Sequence, residues 1–367
     1  MTIFIDITGF GIVIPLLPFY AETFQAGGTA LGIMVASFAI MQFIFSPILG
    51  RISDIVGRRP ILLLSVLTSL VSFILFSIAS SFVMLLFSRI IAGVATETAV
   101  GQAYVADLTS EKERTTGMGK VAAAHGMGFI VGPAIGGFLS VYGFRAPGLA
   151  AVALTSLNLL FVLFFLPDSI TREGSVKRMT ERRGNYLHRL VYGLSRPLIG
   201  AVLAILFIIT LAFSAIPVVA PLVGAIFFDI GPVEMSYIFM YIGLVQVVLQ
   251  GFLIGKITRR FGEEKLIVLG SLIMAAGMVL MPLLANIAAY LGSITLIASG
   301  IGIMNTVIPG FISKRTSTLE QGTMLGTANS VSSIARVPGP LIGGAAFEFA
   351  GVVAPFLVSA ALLVVAF

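Results

Sequence analysis

The stretch GRISDIVGRR, from Gly50 to Arg59, is a short polar island between two long apolar runs. It holds three arginines, one aspartate and two glycines seven residues apart. Arginines are expensive in hydrocarbon, so the runs on either side must end here. Those runs, residues 30–50 and 61–80, each have about the 20 apolar residues that a helix needs to cross a bilayer. The same alternation continues along the whole chain. Of the 367 residues 58% are hydrophobic and only 10% are charged, where a water-soluble domain carries about a quarter. The sequence predicts an all-α membrane protein.

Working outward from the island, about twelve spans are expected, over residues 3–24, 30–50, 61–80, 82–106, 118–141, 147–166, 198–227, 234–255, 265–285, 287–311, 323–346 and 351–367. All but three of the 22 Lys and Arg fall in the connections after even-numbered spans. The exceptions are Arg89 and Arg336, within spans, and Arg145, on the other side. The positive-inside rule then puts both termini in the cytoplasm of a multi-pass plasma-membrane protein. The net charge of +6 is a topology signal, and no nucleic-acid partner is needed to explain it.

Several function classes drop out. With no cysteine there is no disulfide framework or thiol nucleophile, and His125 and His188 are too far apart in sequence to suggest a metal site. No nucleophile–base constellation points to an enzyme, and no cofactor is implied. No glycine-rich phosphate loop is present, so any transport runs on a gradient and not on ATP.

The polar stretch 168–197 divides the spans six and six, giving residues 1–167 and 198–367 as two helical halves and 168–197 as a cytoplasmic linker. The halves repeat each other. GRISDIVGRR at Gly50 has a counterpart, GKITRRFGEE, at Gly255, an offset of 205. GPAIGG at Gly132 has a counterpart, GPLIGG, at Gly339, an offset of 207. Parallel repeats of this kind are one architecture of secondary transporters.

The motif G-x-x-x-D-x-x-G-R-R between spans two and three resembles the signature loop of the major facilitator superfamily. RIIAG in span four is similar to that family's Arg-x-x-x-Gly element, and GFIVGPAIGG in span five to the element of its proton-coupled export branch. Gly9, Pro15 and Pro18 match the G-x5-P-x-x-P element of the twelve-helix drug:proton antiporters, and Asp6, nine residues before Pro15, resembles an acid of the tetracycline and vesicular amine exporters. The resemblance covers the whole chain. It implies a major facilitator fold with a proton-coupled exporter of drugs or amphipathic, cationic small molecules. A carrier of a defined metabolite, such as a sugar, an amino-acid derivative or an organic ion, is the alternative. The expected partners are a small-molecule substrate, protons and the bilayer, with the chain acting as a monomer.

The candidate residues follow. Gly50 and Gly57 allow a tight turn between spans two and three. Asp54 is placed to meet a helix N-terminus, which the resemblance assigns to span eleven. Arg58 and Arg59 can pair with Asp107 as a cytoplasmic latch, or serve only as topology determinants. In span five Gly128, Gly132, Gly136 and Gly137, with Pro133, form a small-residue stripe. It is expected to pack as a hinge against Gly339, Pro340, Gly343 and Gly344 of span eleven. In span four Arg89 and Glu97 fall on one face of a continuous helix, about 12 Å apart. Asp6, Glu97 and Arg89 are the proton-coupling candidates, with a helix N-cap as the other reading of Asp6. Glu97 stands where the family pattern has a small residue. A substrate cavity near the midplane is expected to draw on Gln42, Asn158, Tyr237, Tyr241, Gln246, Asn305 and Asn329.

Overall fold

The computed structural model describes residues 1–95, 97–109, 111–167, 195–283, 286–316 and 320–365. The expected linker lies outside the described residues apart from 195–197. Among the described residues all regular structure is helical, and ten stretches are long and apolar enough to cross a membrane.

The chain forms two compact units. The first comprises Met1–Ala26, Ser37–Arg183 and Ile230–Met240. Its helices are α1 (Thr2–Val13), α2 (Leu17–Glu22), α3 (Gly28–Val56), α4 (Arg58–Ser77), α5 (Phe82–Val94), α6 (Glu97–Leu108), α7 (Glu111–Ser140) and α8 (Arg145–Phe165). Helix α1 is the most enclosed of them and packs on α6, α7 and α8. Pro15, which has no N–H to donate, tightens the chain into a single 3-10 turn at Ile14–Leu16 before α2 resumes.

The second unit comprises Gly27–Ala36, Gly184–Asp229 and Tyr241–Phe367. Its helices are α9 (Pro197–Ser214), α10 (Ile216–Phe228), α11 (Pro232–Val248), α12 (Ile254–Phe261), α13 (Glu263–Leu280), α14 (Ile287–Lys314), α15 (Gln321–Ala335), α16 (Pro338–Ala350) and α17 (Ala354–Val365). Two helices divide between the units: the first turns of α3 group with the second, and the first turns of α11 with the first. Helices α13 and α14 pack so closely that a Cβ on Gly300 would lie 2.6 Å from that of Met274.

The repeat read from the sequence reappears in backbone detail. Gly57 and Gly262, 205 residues apart, both hold a positive φ, +102° and +80°, where a side chain would be strained. Ser81 caps α5 by accepting the Met84 N–H at 3.3 Å, and Asn286, again 205 residues on, caps α14 by accepting the Ala289 N–H at 2.9 Å.

Spans four and eleven are each divided between two helices. Span four ends as α5 at Val94, Ala95 is extended (ψ 134°), and the helix restarts as α6 at Glu97. Span eleven is split by a turn at Arg336–Val337. Here the cause is local. Pro338 and Pro340 cannot donate to the carbonyls of Ile334 and Arg336, so the helix loses two rungs within one turn. Span four contains no proline, and its break has a tertiary cause.

Candidate functional site

The interior of the first unit holds the chain's intramembrane acids. Asp6 lies inside α1, one turn past its N-cap Met1, so its N-cap reading does not hold. Its Oδ2 accepts the Thr98 hydroxyl of α6 at 3.3 Å. Glu97, the preceding residue, is buried, and its Oε1 accepts the Ser69 hydroxyl of α4 at 2.6 Å. Both carboxylates are thus engaged at the start of α6, Asp6 through Thr98 and Glu97 through Ser69. These contacts pull Glu97 towards α4 and Thr98 towards α1 at the start of α6, and the span breaks there, with Gly93 already weakening the helix. The first N–H groups of α6, the positive end of its dipole, open beside the acids.

Arg89 stays on α5 and is buried. Its guanidinium reaches Ser72 of α4 at 3.4 Å and Ser88 at 3.3 Å, and it lies 5.7 Å from the ring centre of Phe76. Because Ala95 interrupts the helix, Arg89 and Glu97 do not share one continuous face as expected. Instead, Ser69 and Ser72, three residues apart on α4, present their hydroxyls to Glu97 and Arg89 in turn. Sequence reading passed over these serines and Thr98. The signal was there, in Ser65, Ser69 and Ser72 recurring at helical spacing in an apolar span.

Asn158 of α8 donates to the Thr2 carbonyl at 3.5 Å, one turn before Asp6. The side-chain oxygens of Thr2, Thr155 and Asn158 are buried with no hydrogen-bond partner among the described residues. The α1–α8 contact therefore keeps spare hydrogen-bonding capacity next to the acid.

The island from Gly50 to Arg59 forms the end of α3, the left-handed turn at Gly57 and the start of α4. Arg58 is its hub. It reaches Asp107 of α6 at 2.9 Å, Asp54 at 2.5 Å and the Ser53 hydroxyl at 2.6 Å. Arg59 donates to the Leu163 carbonyl at the end of α8, at 2.5 Å. A Cβ on Gly50 would meet nothing within 4 Å, so the turn needs Gly57 alone, contrary to the expectation for Gly50.

Comparison with known proteins bears on this pairing of a signature loop with buried acids. Residues 1–340, and again 253–367, match the profile of the Major Facilitator Superfamily. The chain belongs to the major facilitator superfamily. It is 33% identical over 344 residues to the class E tetracycline resistance protein of Escherichia coli, covering 93% of this chain and 84% of that protein. It is 29% identical over 369 residues to multidrug resistance protein 2 of Bacillus subtilis (strain 168), covering 99% and 91%. Among solved structures it resembles the human organic anion transporter MFSD10 (TETRAN), with a TM-score of 0.73 at 22% identity, covering 100% and 96%. The chain is thus a multi-pass membrane transporter.

The glycine stripes of this facilitator do not pack as expected. On α7, Gly128, Gly132 and Gly136 face α1. A Cβ on Gly128 would lie 2.9 Å from Ile7, one on Gly132 would lie 2.5 Å from the Thr8 carbonyl, and one on Gly136 would strike the Ile12 carbonyl. Pro133 lies within α7 and meets Gly11. Gly137 faces Ser236 of α11. On α16, Gly339 faces Leu211 and Ser214 of α9, and Gly343 faces Ala215 and Val219. Pro340 and Gly344 meet Gly32 and Gly28 of α3. The stripes give each of these helices its own close partner, because a surface without Cβ atoms lets any neighbouring backbone approach, whichever helix that is.

The substrate candidates divide. Gln42, Asn158 and Tyr237 belong to the first unit and Tyr241, Gln246, Asn305 and Asn329 to the second. Asn158 is sealed inside its bundle, which removes it from any open cavity. The Tyr241 hydroxyl is engaged with Thr295 at 2.8 Å. Gln42 and Gln246 are half-buried, and Tyr237, Asn305 and Asn329 are exposed.

Proposed function

We propose that this facilitator is a proton-coupled secondary transporter that exports drugs or amphipathic and cationic small molecules by alternating access. In this reading it has twelve spans in two six-helix halves, residues 1–167 and 198–367, joined by a cytoplasmic linker. Helices α15 and α16 are one broken span and α17 is the last. The chain works as a monomer in the plasma membrane, with both termini in the cytoplasm.

The observation that carries the reading is that Asp6 and Glu97 are both engaged at the start of α6, where a span breaks. Two acids at such a place can exchange a proton for a cation, and an interrupted helix is where transporters hold coupling ions. Arg89 is a fixed positive charge in the same unit, held by serines and an aromatic ring. The similarity to tetracycline and multidrug resistance proteins supports export as the direction. Arg58, bridging Asp54 and Asp107, is suited to a latch at the cytoplasmic end.

The test is proton release from purified protein on addition of lipophilic cations and neutral drugs, in wild type, Asp6→Asn and Glu97→Gln. Release is expected from wild type and is lost in Asp6→Asn, with the fold intact. Proton-coupled export that survives in both variants would overturn the assignment.

A further inference from the structure

Arg336 takes no part in the carboxylate site. It lies in the second unit, at the turn between α15 and α16, about midway along the stretch 321–350. Its backbone N–H bonds the Ser332 carbonyl at 3.1 Å, but its guanidinium has no hydrogen bond, carboxylate or ring partner among the described residues. Three other cations of this unit are paired with acids: Arg196 holds Glu320 at 2.8 Å, Lys314 holds Glu263 at 2.7 Å and Arg315 holds Glu264 at 2.6 Å. Arg336 is exposed to solvent.

An arginine at mid-span that faced lipid would carry a heavy cost, so an accessible, unpartnered guanidinium there is placed to face water or a ligand. It keeps its charge there, since arginine does not deprotonate in proteins. Steps of four and three residues put Asn329, Ser333 and Arg336 on one face of the helix. Asn329 is exposed, and the Ser333 hydroxyl is turned back to the Asn329 carbonyl at 2.9 Å. The face thus offers two sets of free donors, a guanidinium fork and an amide. It adjoins the N-terminus of α16, whose dipole also favours negative charge.

We propose that Arg336 and Asn329 form a subsite for an acidic oxygen group on the transported molecule, a carboxylate or an enolate. The substrates then include amphipathic organic anions and zwitterions. This rests on the reading of the chain as a drug transporter but not on proton coupling. A guanidinium fork matches two oxygens in a plane, which a lysine ammonium cannot do.

The test uses two dyes with the same xanthene core, anionic fluorescein and cationic rhodamine 123, bound to detergent-purified protein and followed by fluorescence anisotropy. Wild type is expected to bind fluorescein saturably. Arg336→Gln weakens that affinity about tenfold or more and Arg336→Lys weakens it less, while rhodamine 123 is unaffected in both. Asn329→Ala gives a smaller loss confined to fluorescein. The subsite is ruled out by an absence of fluorescein binding in wild type, by unchanged fluorescein affinity in Arg336→Gln, or by equal loss of both dyes in the Gln and Lys variants alike. The assay needs no gradient. Asp6→Asn that keeps fluorescein binding but loses proton release separates this subsite from the coupling site.

Discussion

Span four and its counterpart α14 start in the same way and then diverge. Each opens on a polar cap, Ser81 or Asn286, 205 residues apart. Helix α14 then runs unbroken from Ile287 to Lys314, whereas span four breaks at Ala95. The difference lies in what each register position buries. At the same offset Arg89 is matched by Ile294 and Glu97 by Gly302, both buried in apolar packing. An apolar interior asks nothing of the backbone. An interior with two acids and an arginine must bring hydroxyls and N–H groups to them, and a broken helix does that.

The cytoplasmic ends make a second contrast, with the charges reversed. After Gly57 the first helical residue is Arg58, paired with Asp107; after Gly262 it is Glu263, paired with Lys314. The pairs occupy matching places, but their surroundings differ. The Arg58 side chain is 5% exposed and serves Asp54 and Ser53 as well, while Lys314 is 69% exposed.

That contrast predicts the largest effect. Arg58→Ala leaves two shielded acids without their shared partner and should destabilise the first unit by about 3–5 kcal/mol, whereas Lys314→Ala should cost about 0–1 kcal/mol. Thermal unfolding of the two variants measures the gap, and equal shifts would erase the distinction. Arg58→Glu with Asp107→Lys copies the second unit's polarity. It should recover only part of the loss, because Asp54 then faces a like charge.

Next comes the interior. Glu97→Met gives this position an apolar side chain of similar volume, as in the apolar interior of the second unit. Replacing a buried ion by an apolar side chain of similar volume is neutral or stabilising by about 1–4 kcal/mol. The expected outcome is an unchanged or raised melting temperature together with lost proton release. A lowered melting temperature with coupling intact would mean that Glu97 is structural.

The glycine contacts are of similar size. Gly136→Val drives a branched side chain into α1 and should cost about 1–3 kcal/mol or more, while Gly50→Ala, with open space around it, should stay within about 0.5 kcal/mol. Size-exclusion profiles after heating rank the two. The smallest effects belong to what the repeats share: Ser81→Ala and Asn286→Ala should each cost about 1 kcal/mol, equally in both units.

Much of this was legible in residue order. The island at Gly50–Arg59, its copy at Gly255 and the left-handed glycines Gly57 and Gly262 follow from turn chemistry, which is local. The family resemblance offered both Arg58 and Arg59 as partners of Asp107; Arg58 makes that pair, and Arg59 donates to the Leu163 carbonyl. Other features were not legible. The partners of Gly132 and Gly343 could not be read, since a small residue permits a close approach without naming what approaches. The broken span four was hidden as well, because no proline marks it.

The sequence by itself determined that this chain crosses a membrane many times, that it is an internal repeat, and where its charged loops lie. Those properties depend on composition and on spacing along the chain, which solvent and bilayer read directly. Only the tertiary structure decided that Asp6 meets Thr98, that Glu97 turns to Ser69, and that Arg336 has no side-chain partner among the described residues. These are contacts between helices far apart in sequence, and a helix face carries no record of the neighbour it will meet until the bundle is packed.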